Sequence, residues 1–187
     1  MALSVAGGQI RLLERYAHAA DSTYSNEAGA HYILLRDINR RRVMQNEKQA
    51  AEPTEDLDGI TVLRHSGNTR GWNGIRYKTG LAAGNTAAKK LSMNVATVPP
   101  GGVAFAHIHV DFEVMLYILS GRVRHEYGEG LTKSVDNEAG DFIFIEPGVP
   151  HEVINLSATE PVMAVVARSD ASEWEHIVDV PSRRRPA

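Results

Sequence analysis

Two glycine-bounded stretches constrain this chain more than anything else in it. The first runs from Gly101 to Gly121 and holds His107, His109 and Glu113; the second runs from Gly140 to Asn155 and holds His151. Side chains of a strand alternate between its two faces, so His107 and His109 open into one space while Ile108 turns away. Glu113 has the same parity if the strand continues. His151 follows His107 by 44 positions, and only a sheet folded over on itself brings both stretches together. A lone strand histidine is ordinarily a hydrogen-bonded core residue. Three histidines and an acid in this pattern instead suit a divalent transition metal.

The remainder of the chain from Ile60 reads the same way. Short apolar runs at 60–65, 74–79, 91–98, 103–110, 113–119, 122–127, 142–145, 151–155, 162–167 and 176–180 read as strands, punctuated by Gly, Asn, Pro and Ser. Many short strands at this spacing predict an all-β sandwich or barrel rather than βαβ units. Upstream, residues 9–20 read as a short helix with Ile10, Leu13, Ala17 and Ala20 on one side. The polar stretch 50–59 reads as a linker, giving a partly helical N-terminal extension (1–59) and a β domain (60–180). Residues 181–187, with Arg183-Arg184-Arg185, read as a disordered basic tail. Arg40-Arg41-Arg42 reads as a solvated face.

Composition removes several function classes. The chain has no cysteine, which excludes disulfides, a thiolate nucleophile and a Cys-ligated metal. A net charge of −3 gives no electrostatic case for nucleic acid. No apolar run reaches the ~18 residues of a membrane span, and the first ten residues lack the pattern of a signal peptide. The expectation is a cytoplasmic protein with a small-molecule substrate and neither nucleic acid nor membrane as partner. No phosphate-binding or dinucleotide-binding glycine motif and no Gly-x-Ser-x-Gly is present.

The two stretches resemble the paired motifs of the cupin superfamily. The first reads Gly101, five residues, His107-Ile108-His109, three residues, Glu113, seven residues, Gly121. The second reads Gly140, five residues, Glu146-Pro147-Gly148, two residues, His151, three residues, Asn155. The resemblance covers about 91–168 and is similar to small single-domain bacterial RmlC-like cupins that bind metal. It implies a double-stranded β-helix, a jelly-roll barrel, with His107, His109, Glu113 and His151 as metal ligands, and a homodimer. Two departures stand out. The family's count of about six residues between acid and glycine falls on Val114, which cannot ligate; a bulge near 113–114 would absorb the difference, and Asp111 is a fallback of the same parity. Glu146 replaces a proline in a turn and reads as a surface change.

Three imidazoles and one carboxylate on an octahedral ion leave two positions open, which favours one Fe(II) per chain, with Mn(II), Ni(II), Cu(II) or Zn(II) as alternatives. His125 and Tyr127 are candidate acid/base groups near the metal. Tyr117, Phe105 and Arg76 are candidate substrate contacts, and Arg64, His65, Trp72, Tyr77 and Arg168 are further ones. Phe105, Met115, Tyr117, Phe142, Phe144, Ile145 and Val153 read as barrel lining. The leading function is a dioxygenase acting on a small organic acid or a phenolic or β-diketone-like compound that chelates the metal. The alternatives are a redox-neutral isomerase, lyase or decarboxylase using the same ligands, and a non-catalytic small-molecule-binding barrel.

Overall fold

Turns set the strand boundaries. In the computed structural model, which describes residues 54–64, 69–172 and 176–185, β1 (Thr54–Leu57) and β2 (Ile60–Leu63) form a separate hairpin around Asp58-Gly59. β3 (Thr69–Trp72) and β4 (Ile75–Leu81) join through Asn73-Gly74, with φ of 53° and 83°, the dipeptide that two-residue hairpin turns favour. β5 (Ser92–Val98), β6 (Val103–His109), β7 (Val114–Ser120) and β8 (Arg122–Tyr127) follow. A short 3-10 turn at Glu129–Leu131 leads to β9 (Lys133–Glu138), β10 (Phe142–Ile145), β11 (His151–Asn155), β12 (Val162–Arg168) and β13 (Ile177–Asp179). The helix expected over 9–20, Arg40–Arg42 and His65 lie outside the described residues.

Two antiparallel sheets make the barrel. One has the order β10-β7-β12-β5-β4-β3 and the other β13-β6-β11-β8-β9. From β5 onward the chain passes back and forth between the sheets, so strands that pair are mostly distant in sequence. This is the jelly-roll solution to sheet edges, and the all-β architecture matches the expectation. Alternation is cleanest in β5 and β12, where every second residue is buried and faces the interior between the sheets.

One irregularity decides what faces that interior. β11 pairs with β6 through His151↔His107 and Val153↔Ala104, so β6 carries one extra residue at 105–106. The bulge reverses parity. Ala104 upstream, and His107 and His109 downstream, all border the same interior cavity, while Phe105 does not. No bulge occurs at 113–114, where β7 pairs regularly through Val114↔Ile145 and Val114↔Arg168.

Several expectations are corrected. Met115, Tyr117, Phe142 and Phe144 do not line the barrel; they sit on the outer face of the six-stranded sheet, where Phe142 is 84% exposed and Tyr117 packs on it at 4.5 Å between ring centroids. Ile145 and Val153 do line it. β1 lies within the segment read as a linker. Within the segment read as a basic tail, Arg184 pairs with Glu126 and Glu152, and Arg185 pairs with Asp179. Among the described residues no helix is long and apolar enough to cross a membrane.

Candidate metal centre

β6 and β11 are neighbours, and their register sets His151 opposite His107. His109, two residues along β6, completes a triangle. The ring centroids are 4.3 Å apart for His107 and His151, 4.8 Å for His109 and His151, and 4.9 Å for His107 and His109. One nitrogen from each ring lies within 4.8 Å of the others. All three residues are buried, at 5%, 4% and 3% exposure for His107, His109 and His151.

The surroundings fix which nitrogens are free. His107 Nδ1 donates to the Phe105 carbonyl at 2.8 Å, and His151 Nδ1 donates to the Val149 carbonyl at 2.9 Å. Each bond holds the Nδ1–H tautomer and leaves the Nε2 lone pair for a metal. His109 stacks on Phe112 at 5.0 Å, and its Nδ1 is buried without a hydrogen-bond partner. Burial, reinforced by the neighbouring imidazoles, holds His107 and His109 well below the usual imidazole range. Burial lowers His151 to about 4. Metal ligands must be deprotonated, and these three are neutral at neutral pH. Donor chemistry, tautomer and burial all fit a divalent transition metal.

Glu113 is not part of the group. It is exposed; its backbone N–H donates to Ser169 Oγ at 2.9 Å, and its carbonyl accepts from the Ser169 N–H at 3.1 Å. β7 begins one residue later, and Val114, 2% exposed, takes the inward position. Asp111 is likewise exposed, in the turn between β6 and β7 with φ 64°. Among the described residues the centre is three histidines without an acid.

The triad opens into a cavity of ≈ 60 Å³ between the sheets, room for a few waters or one small molecule. Among the described residues its wall is apolar except for the triad, His125, Tyr77 and Arg168, and no acid lines it. Arg168, 3% exposed at the end of β12, lies with its guanidinium 5.7 Å from the centroid of the Tyr77 ring. Burial raises the Tyr77 phenol, and Arg168 partly offsets this. His125, 5% exposed on β8, has Nδ1 at 3.0 Å from Asn137 Oδ1, while its Nε2 is buried without a hydrogen-bond partner. Burial lowers its pKa.

The other expected site residues are elsewhere. Tyr127 pairs with His151 at the end of β8 but is half-buried and outside the cavity wall. Tyr117 is on the outer face. Arg76 is exposed between the inward Ile75 and Tyr77. Phe105 leaves the cavity at the bulge and lies beneath the Arg185 guanidinium at 5.5 Å. Arg64 pairs with Glu55 at the surface. Trp72 meets the His107 ring edge-on at 5.4 Å. Sequence reasoning passed over Asn73 and Asn137. The Asn-Gly pair signalled the turn that carries Asn73; Asn137, in the polar β9, had no signal.

The segment 94–168, which holds all three histidines and ends at Arg168, matches the family model for the cupin domain. The chain carries a cupin domain. Solved structures similar to it include an uncharacterized conserved protein with a double-stranded beta-helix domain from Klebsiella pneumoniae. That likeness has 19% identity and a TM-score of 0.50, covering 60% of this chain and 90% of that one. Oxalate decarboxylase OxdC of Bacillus subtilis matches at 19% identity and TM-score 0.53, over 67% of this chain and 34% of that one. The Lactobacillus farciminis oxalate decarboxylase formate complex matches at 16% identity and TM-score 0.55, over 72% and 40%. The chain thus spans well under half the length of these decarboxylases. No curated protein matches it. This cupin domain keeps the three histidines of its paired motifs inside the barrel and leaves the acid outside.

Proposed function

We propose that this cupin domain is a metal-dependent oxygenase: an Fe(II) dioxygenase whose substrate is a small organic acid that chelates the metal. One observation carries the reading. Three neutral imidazoles face one cavity that, among the described residues, is mostly apolar and lined by no acid. A divalent ion held there would make the cavity positive, and a low-dielectric positive cavity selects an anion. His107, His109 and His151 would hold the ion from one side and leave it open to the cavity, where a small chelating acid could reach it. When bound, the metal would supply Lewis acidity and oxygen activation.

The chain's own residues do the rest. Arg168 stands in the cavity wall with its guanidinium over the Tyr77 ring. Apolar side chains from both sheets exclude water. His125, held by Asn137 with Nε2 left to accept, is placed to take a proton from a substrate hydroxyl or enol.

That same His125 supports a second reading, redox-neutral decarboxylation or isomerisation, in which it moves a proton to or from a carbanion. Oxalate decarboxylases share the fold, and Mn(II) centres are described in the Bacillus subtilis enzyme. The test is substrate consumption from a panel of small mono- and dicarboxylates, hydroxy acids and β-diketones, with Fe(II)- or Mn(II)-loaded protein and an oxygen electrode. Oxygen uptake matched to substrate loss supports the dioxygenase. Turnover that persists under strict anaerobiosis overturns it in favour of the second reading.

A further inference from the structure

β11 turns two adjacent residues to opposite sides. His151 faces the cavity; Glu152 faces outward and is nevertheless fully buried, at 0% exposure. Directly opposite it on β8 stands Glu126. Carboxylates facing each other across neighbouring strands repel, and a buried one requires a partner. The C-terminal stretch supplies it. Arg184 Nη1 donates to Glu152 Oε2 at 2.7 Å and to Glu126 Oε2 at 2.5 Å, and its Nη2 donates to Glu126 Oε1 at 2.9 Å. Ser182 Oγ donates to Glu152 Oε1, which also accepts from the Ala106 N–H at 3.3 Å.

Ala106 belongs to the β6 bulge, and the next tail residue binds the same place. Arg185 Nη2 donates to the Ala106 carbonyl, Asn73 Oδ1 and Asp179 Oδ1, each at 3.0 Å. Asn73 Nδ2 donates to the Phe105 carbonyl at 2.5 Å. That carbonyl also receives His107 Nδ1. A bulge leaves backbone groups without ladder partners, and this one carries the oxygen that orients a triad histidine. The tail therefore touches, from outside the barrel, the backbone that aims His107 and the residue beside His151.

We propose that residues 182–185 are a strap that sets the metal centre from behind. Arg185, acting through Asn73 and the Phe105 carbonyl, is a positioning residue for His107. Arg184, through Glu152, holds β11 against the β6 bulge so that His151 stays opposite His107. The proposal rests on reading the three histidines as a metal site. Groups that orient a ligand from outside typically change metal affinity 10–100-fold when removed, which sets the expected effect.

The test is Co(II) binding, by calorimetry and visible absorption, to the full chain and to Arg185→Ala, Asn73→Ala, the double variant and Arg185→Lys. Arg185→Ala and Asn73→Ala should each weaken Co(II) binding about tenfold or more and alter its absorption bands. The double variant should be no worse than the weaker single, because both act on one carbonyl, and Arg185→Lys should recover part of the loss. Amide hydrogen exchange on the metal-free protein should show faster exchange at Ala106 and His107 in Arg185→Ala. Should that variant not fold, Arg185→Lys and Asn73→Ala carry the comparison. Unchanged Co(II) affinity beside a lowered melting temperature would make the tail a mere clip and overturn the proposal, as would fully additive losses. A wild-type chain that takes up no Co(II) overturns the metal reading, and the strap with it.

Discussion

Glu113 and Val114 are adjacent in the chain and lie on opposite sides of the barrel wall. Val114 is 2% exposed and lines the cavity, while Glu113 is exposed and joined to Ser169 by its backbone. The acid that would make a four-ligand centre is one residue out of place.

Glu113→Gln should therefore leave metal affinity within about twofold, whereas His107→Ala or His151→Ala should lower it at least ~100-fold. Val114→Glu puts the acid inside. It should tighten metal binding while destabilising the metal-free protein by roughly 3 kcal/mol, since a carboxylate then enters an apolar wall. Calorimetric titration and urea melts of each variant read both effects.

Arg168→Met tests whether the guanidinium in the cavity wall contributes to anion binding. Arg168→Met keeps most of the volume and removes the charge, and a hydrogen bond to a charged group contributes about 1.5–3 kcal/mol. Inhibition by small carboxylates should weaken ~10–100-fold while metal affinity holds. Equal inhibition of both proteins would remove Arg168 from the binding site.

The metal-free protein should lose stability on acidification in a defined window. The folded-state pKa of His151 is lowered from 6.5 to about 4 by burial, so the unfolded chain binds its proton first as pH falls. Stability is full above the unfolded value, declines as pH drops from about 6.5 toward 4, and for this residue levels off below. A shift of that size is worth on the order of 3 kcal/mol. His107 and His109, lowered in the same direction, steepen the loss. Denaturant melts of the apo protein at pH 7, 6, 5 and 4.5 measure it; stability that rises over this range would contradict the burial.

Arg184→Ala leaves Glu152 without its cation. Breaking a fully buried pair costs about 3–5 kcal/mol. Here the Arg184 side chain is 41% exposed, so a smaller loss of about 1–3 kcal/mol is expected. Arg122→Ala removes one of two arginines paired with Asp136 at the surface and should change stability far less than Arg184→Ala. Thermal melts of the two variants side by side provide the comparison.

The triad was legible because strand parity is a local rule and the two motifs are short. Glu113 was misplaced because that rule assumes one continuous strand, whereas the chain leaves β6 at His109 and turns through Asp111 before β7. Phe105 failed for a related reason: a one-residue bulge reverses every face before it and leaves no compositional trace. In β7 and β10 both faces are apolar, so alternation does not tell Leu116 and Ile118 from Met115 and Tyr117. β9, Lys-Ser-Val-Asp-Asn-Glu, is held by pairing to β8 rather than by an apolar face. The tail was hardest to read. Arg184 meets Glu152 and Glu126 across 32 and 58 positions, and a run of arginines shows nothing of partners that distant.

Among the described residues the candidate metal site of this cupin domain is three histidines and no acid. The most direct measurement is the electron paramagnetic resonance spectrum of anaerobic, Fe(II)-loaded protein probed with nitric oxide, for wild type, Glu113→Gln and His151→Ala. Wild type and Glu113→Gln should each give an iron–nitrosyl signal of about one per chain, and folded His151→Ala should lose it. A signal that survives His151→Ala or vanishes in Glu113→Gln, or a wild-type chain that holds no iron, would contradict a three-histidine site.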